Sequence, residues 1–365
     1  MNGLLICSGE FNRKNIGDYI QSLAQEQFFD KIDCFVERER INTFEAKEKV
    51  NLIMNAWWMW HPENFPPSKC INPLFISFHI VPSIAKQMLT PAVVNYLKKY
   101  EPIGARDIGT KDLLESYGIK SYFSGCLTLT LGLKYKSNNH DNTILFVDPY
   151  YELGCTTLNN WYIKILKSFG LLIKHLHKVL RLKKRFVFEF KSPLSYHHFV
   201  WLDRWLMCAS FYEAYSKAFS DEVLFNAEYL SHDIDQADFI DDRDKLAYAR
   251  NLMYKYGKAK YVVTSRIHCG LPCLGIETSV LFVSSDKLEG NTIRSSGRFG
   301  GLIELFHVMR FTDKGIVGQS EYVKKQLKNS KFDMDTSFNN KSNYIKLRDK
   351  MECIVNQFVD KYSGG

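Results

Sequence analysis

The chain has 365 residues, 45% of them hydrophobic and 24% charged, a globular composition that excludes a disordered or fibrous protein. At ~150 residues per domain the length suits two domains, and twenty-six Phe, twenty Tyr and six Trp supply apolar area for two cores. Forty-eight Lys and Arg against forty Asp and Glu leave a formal charge of +8, which favours phosphate esters, acidic lipids or nucleic acid without choosing among them.

From the N-terminus, Leu4 to Ser8 reads as a buried strand and Asp18 to Phe29 repeats its apolar positions at helical spacing. Lys31 to Val36, Leu52 to Met54 and Leu74 to Ile80 follow as strands, then Ile103 to Asp107 and Lys120 to Phe123, with a helix at Thr110 to Tyr117 between the last two. Lys134 to Asn142 is polar and Asn-rich and reads as the linker. Beyond it, Thr143 to Val147, Phe186 to Phe190, Glu222 to Asn226, Tyr261 to Thr264 and Val280 to Val283 read as strands, Arg243 to Tyr256 as a helix, and 346–362 as a terminal amphipathic helix. Short apolar runs alternating with helices predict α/β construction in two doubly wound units, 1–137 and 138–345, with a tail at 346–365. The opening residues turn polar too soon for a signal peptide, and no run reaches the ~20 apolar residues of a membrane span. Nine cysteines without a C-x-x-C pair argue for a reduced, cytosolic, metal-free chain, with Cys269 and Cys273 as buried thiols.

In open α/β sheets ligands sit beyond the carboxyl ends of strands, so the loops there were weighed for chemistry. Asn15 and Gly17 can hold a tight turn before a helix, where Asp18 has two roles open to it: an N-cap, or a catalytic carboxylate. Neither a dinucleotide fingerprint nor a P-loop is present. Arg106 ends a strand, suited to a carboxylate or phosphate, or to a local ion pair with Asp107 or Asp112. Arg266 and His268 are two apart after a buried strand; on an extended segment they point the same way, a cation beside a proton-transfer group. Lys287 follows another strand, ahead of a Gly- and Arg-rich loop. Lys174 to Arg185 reads as a basic amphipathic helix, either a solvated face or a contact with an anionic membrane or lipid diphosphate; no nucleic-acid motif accompanies it.

Four features in order, NIGDYIQSLA from Asn15, GARDIGTKDLL, TSRIHCGLPCLG and SSDK ending at Lys287, resemble the polysaccharide pyruvyl transferase family. The resemblance implies two Rossmann-like domains with an interdomain cleft, GT-B-like, and transfer of the pyruvyl group of phosphoenolpyruvate to two hydroxyls of a sugar, with phosphate released. It assigns Asp18 and His268 to catalysis, with acid and base interchangeable, and Arg106, Arg266, His268 and Lys287 to phosphoenolpyruvate, whose carboxylate and phosphate need fixed cations. No cofactor or metal is implied. Candidate acceptor contacts are Asn15, Gly17, Trp57, His61 and His79; Trp57, Trp58 and Trp60 suit either a sugar face or the core. The expected acceptor is a hexose, first galactose bridged at O4 and O6, in a lipid-linked precursor at the inner leaflet, with Lys174, Lys178, Arg181, Lys183, Lys184 and Arg185 as the membrane contact. A GT-B glycosyltransferase using a nucleotide sugar and a non-catalytic glycan or lipid-diphosphate binder are the rival readings.

Overall fold

The computed structural model of the chain describes residues 1–8, 15–185, 200–235, 238–285 and 299–363. The protein is mixed α/β. Its first part contains β1 (Gly3–Ile6), β2 (Cys34–Glu37), β3 (Val50–Ile53), β4 (Trp57–Trp58), β5 (Ile71–Leu74), β6 (His79–Ile80), β7 (Ile103–Ala105) and β8 (Ser121–Phe123). These pair in parallel as β1 with β2, β3 with β5, β4 with β6 and β7 with β8. Isolated bridges at Asn2–Asn51 and Phe78–Ala105 link the ladders. The single strand expected over Leu74 to Ile80 is therefore split between β5 and β6. The second part is one six-stranded sheet in the order β10-β9-β11-β12-β13-β14, built from Ile144–Val147 (β9), Glu228–Leu230 (β10), Tyr261–Thr264 (β11), Ser279–Ser285 (β12), His307–Thr312 (β13) and Gly315–Gly318 (β14). Only the β13–β14 pair is antiparallel. The order reverses between β9 and β11, so the loops after these two strands open on the place where such sheets take ligands.

The helices of the first part are α1 (Gly17–Glu26), α2 (Ala85–Met88), α3 (Pro91–Leu97), α4 (Ile108–Ser116) and α5 (Gly132–Tyr135); those of the second are α6 (Trp161–Leu182), α7 (Val200–Tyr215), α8 (Asp221–Asn226), α9 (Asp242–Lys258), α10 (Ile267–Gly275), α11 (Glu321–Asn329) and α12 (Ile345–Ser363). Two expectations are corrected. Glu222 to Asn226 is helix, not strand: Ser220 caps it by accepting from Val223 N, and Asp221 and Glu222 complement its dipole in the first turn. The expected linker starts inside α5, where Tyr135 is buried; residues 136–143 have neither helix nor strand. The expected strand Phe186 to Phe190 lies outside the described residues.

Helix α1 follows β1 and lies between the two parts. Its polar face is tied to the first: Gln25 Oε1 accepts from Leu5 N (3.1 Å), Ser22 Oγ donates to Leu5 O (2.6 Å), and Asn55 Nδ2 donates to Gln21 O (3.1 Å). Its apolar face, Tyr19, Ile20, Leu23 and Ala24, joins a core cluster containing Leu145, Leu246, Leu252, Ile267 and Leu271 of the second part. That cluster also takes Leu127, Leu129 and Leu131, and Met351 and Val355 of α12, so the terminal helix packs back beside 127–130. At this junction two glycines let backbones touch. A Cβ on Gly275 would stand 2.4 Å from Leu129 O, and one on Gly132 would stand 2.3 Å from Gly275 O.

Gly to Ala inside a helix ordinarily stabilises by up to ~1 kcal/mol. At Gly275 the sign reverses: Gly275→Ala is expected to destabilise by about 1–3 kcal/mol through overpacking against main chain, seen as a lower thermal midpoint. Gly170 is a control in α6, because nothing lies within 4 Å of its would-be Cβ, and Gly170→Ala is expected to leave the midpoint unchanged or higher.

Candidate active site

Eight of the ten residues of α1 are buried, and only Asp18 and Glu26 are not. Glu26 is spent on an ion pair with Arg250 of α9. Asp18 does not cap the helix. The N-cap residue is Ile16, and Asn15 pins the turn before it, its Oδ1 accepting from Gly17 N at 3.0 Å. Asp18 Oδ1 accepts from Gln21 Nε2 (3.1 Å), and Oδ2 lies 3.9 Å from Arg38 Nη1. Together they line a small cavity of ≈ 10 Å³ with Cys7, Gln21 and Ala56, space on the scale of one water.

Arg38 follows β2 and was not singled out from the sequence. It is 2% exposed, and its guanidinium meets Asp18, Glu39 Oε1 (3.0 Å from Nε) and Cys7 Sγ (3.0 Å from Nη2). Burial pushes the Cys7 thiol well above its ordinary range, although Arg38 pulls the other way, so Cys7 lines the site as a neutral group. The Trp57 ring lies under Arg38 Cζ at 4.8 Å and meets Trp60 edge to face at 4.7 Å. Glu39 Oε2 holds the turn by accepting from Trp60 N (2.8 Å) and His61 N (3.0 Å). Trp60 is 63% exposed, and the His61 ring contacts Glu63. Trp58 instead packs in the core against Phe65 and Phe78. The tryptophan cluster thus divides: Trp58 is core, while Trp57 and Trp60 form a rim that Arg38 connects to Asp18.

From the second part, α10 brings His268 to Gly17. A Cβ on Gly17 would stand 3.1 Å from His268 Nδ1, and His268 is 8% exposed. Neighbouring backbone locks this contact: Ile16 N donates to His232 O at 3.0 Å, and Asn15 bridges to Asp233. Arg266 and His268 do not project together as an extended segment would have them. Arg266 is the extended residue before α10, and the helix starts at Ile267, which turns His268 toward α1. Arg266 is held by two carboxylates: Nε donates to Asp148 Oδ2 (2.9 Å) and Nη2 to Asp233 Oδ1 (2.9 Å). Asp148 ends β9 at the sheet's switch point with φ 40° and also accepts from His232 N. It holds Arg266 in place, and the Asp148-Pro149 step after β9 is its only trace in the sequence.

Arg106 and His79 lie in a second, buried network. Arg106 is 2% exposed rather than open at a mouth, and its Nε stands 3.4 Å from Asp107 Oδ2, so the local ion pair is present. His79 Nδ1 is 2.6 Å from the same Oδ2 and 3.0 Å from Thr110 Oγ1. Asp107 Oδ1 caps α4 by accepting from Thr110 N. Lys287 lies outside the described residues. The basic stretch is helical as far as Leu182, and its side chains are partly engaged by the domain: Lys174 and Lys178 pair with Glu213 and Asp221, Arg181 lies over Phe225, Lys183 over Trp205, and Arg185 donates to Asn226 O; Lys174, Arg181, Lys184 and Arg185 are exposed.

Burial alone would raise Asp107, but the His79 charge and hydrogen bond, then Arg106 and the Thr110 N–H, hold it at about 2. A depressed carboxylate gives stability that is present above its unfolded pKa and disappears as pH falls through the folded one. Asp107→Asn keeps the cap and removes the charge, and is expected to cost about 2 kcal/mol or more at neutral pH. Denaturant melts should show that deficit shrinking as pH drops from about 4 to about 2.

No curated protein and no solved structure matches the chain. The model of one family does, over residues 15–287, a span that starts at the Asn15 turn, takes in Asp18, Arg106, Arg266 and His268, and ends at Lys287. The chain therefore belongs to the polysaccharide pyruvyl transferase family.

Proposed function

We propose that this member of the family transfers the pyruvyl group of phosphoenolpyruvate to two hydroxyls of a hexose in a lipid-linked precursor, galactose being the first choice and O4 and O6 the positions bridged. We further infer a GT-B-like pair of Rossmann-like units with the site between them; the strand order of the six-stranded sheet, with its second strand laid outside the first, supports the Rossmann-like half of that reading. The observation that carries the proposal is the close approach of His268 to Gly17 beside Asp18. It brings the turn before Asp18 against the helix that carries His268, two segments distant in sequence.

The chemistry balances without an external reactant. A proton adds to the methylene carbon of phosphoenolpyruvate, leaving an oxocarbenium-like centre at the carbon that carries the phosphate ester. One sugar hydroxyl bonds there and gives up its proton. The bond to the phosphate oxygen then breaks, and the second hydroxyl bonds to the same carbon. The two hydroxyl protons end on the new methyl group and on the departing phosphate. Asp18 and His268 are the groups that move these protons, in interchangeable roles. Arg266 keeps a guanidinium edge for the donor beyond the two carboxylates that hold Nε and Nη2, and its side chain is 37% exposed. Lys287 and Arg106 are the further cations of the reading; Arg106, being buried, would act at short range across its pairing with Asp107. Trp57 and Trp60 would take a sugar face, with Asn15, Gly17 and His61 near it; His79 would contribute through Asp107 rather than by touching the acceptor.

Phosphate release from phosphoenolpyruvate, measured across lipid-linked hexoses, tests this reading. Asp18→Asn and His268→Gln are each expected to lower kcat by ~10²–10⁴-fold, while Arg266→Ala raises KM for phosphoenolpyruvate. Release of nucleotide from a nucleotide sugar with no phosphate from phosphoenolpyruvate, or full turnover by both Asp18→Asn and His268→Gln, would contradict it.

A further inference from the structure

Helix α6 turns the wrong side outward for a helix of a water-facing domain. Val179 and Leu182 are buried against the second core, but Tyr162, Leu166, Phe169, Ile173, Leu176 and Leu180 are exposed. Leu166 is 71% and Ile173 79% exposed. The spacing 4-3-4 sets Tyr162, Leu166, Phe169 and Ile173 on one line, about 17 Å long at ~1.5 Å per residue, and Leu176 and Leu180 follow beyond the kink at His175. An exposed apolar stripe of this size marks an interaction surface.

The charge around it selects the partner. Residues 161–185 hold eight Lys and Arg (164, 167, 174, 178, 181, 183, 184, 185) and no Asp or Glu, a contribution of +8 that equals the formal charge of the whole chain. Lys164, Lys174 and Lys178 meet carboxylates of the domain, whereas Arg181 and Lys183 lie on ring faces and Arg185 on a carbonyl. Lys167 and Lys184 are exposed. The stripe begins at a tilted Trp161–Tyr162 pair, 3.9 Å between ring centroids, and ends in a basic cluster. Paired interfacial aromatics, an apolar line and cations at its margin are the make-up of a helix lying in a bilayer surface. The same spacing suits a coiled coil, but a second copy would bring like charge against like, and His175 (φ −115°, ψ 20°) interrupts the helix within the seam. No helix among the described residues is long and apolar enough to cross a membrane.

We propose that α6 docks the protein onto an anionic lipid bilayer by sinking this stripe into the headgroup boundary. The stripe, more than the basic residues themselves, is what faces the lipid. This goes beyond pyruvyl transfer and is tested without it, by sedimentation of the full chain with phosphatidylcholine vesicles containing or lacking phosphatidylglycerol. Binding is expected to be at least about tenfold tighter to the anionic vesicles and to weaken as salt is raised. Leu166→Asp with Ile173→Asp should reduce it at least about tenfold, with the circular dichroism melt unchanged because both side chains are exposed. Lys167→Glu with Lys184→Glu, which touches no apolar residue, should abolish the preference for phosphatidylglycerol and decides the matter if the first pair fails to fold. Equal binding to both vesicle types, or wild-type binding by a folded variant of either pair, would overturn the proposal. So would a wild-type dimer in sedimentation velocity that Leu166→Asp with Ile173→Asp converts to monomer, or an acidic protein that holds the stripe in place of lipid.

Discussion

The arrangement depends on α1 being held from both sides. Its polar side chains are consumed by β1 and Asn55, and its apolar ones by α9 and α10. A helix buried this way can leave few groups unspent. Its tenth residue, Glu26, closes on Arg250, and its second, Asp18, is left facing Arg38 with its side chain 17% exposed. Because Gly17 has no side chain, His268 comes up against the same turn. The junction that packs the two parts together thus also sets how closely His268 approaches the turn before Asp18.

Charge is handled differently on the two sides of this junction. Arg38, Arg106 and Arg266 are each matched by carboxylates within the protein, at Asp18 and Glu39, at Asp107, and at Asp148 and Asp233. Removing a guanidinium from water is costly unless it is paired, so the pairing is what allows cations to stand pre-aimed in a largely enclosed place. Arg266 is the most open of the three. Arg38 links Asp18 to the tryptophan rim, so one side chain joins the carboxylate proposed for catalysis to the surface proposed for the sugar.

Much of this was legible in the residues. Tyr261 to Thr264 is an uninterrupted β-rich run and is β11; the Asp18 periodicity marks α1; and Asp18, Arg106 and Arg266 of the NIGD, GARD and R-x-H motifs follow β1, β7 and β11. The failures share a cause. Cys269-Gly270-Leu271-Pro272 carries helix-breaking residues, yet α10 forms because Gly270 lets Phe306 pack within 3 Å of its missing Cβ and tertiary burial outweighs propensity. The direction of His268 was lost with that helix. Arg38 was missed because nothing local in Arg38-Glu39-Arg40 distinguishes a buried arginine from a solvated one; its partners Asp18 and Cys7 are distant in sequence. In α6 the periodicity revealed two faces but not which one packs, and Lys174 and Lys178 of the basic side pair with carboxylates of the domain.

The central claim is that one small dianion is held jointly by the turn at Asn15–Asp18 and the start of α10. Hydrogen exchange of the full chain with and without phosphoenolpyruvate measures this directly. Slowed exchange is predicted at 15–22 and at 264–270 together, with α6 unchanged. Protection confined to one of these segments, or none at either under saturating phosphoenolpyruvate, would contradict the account.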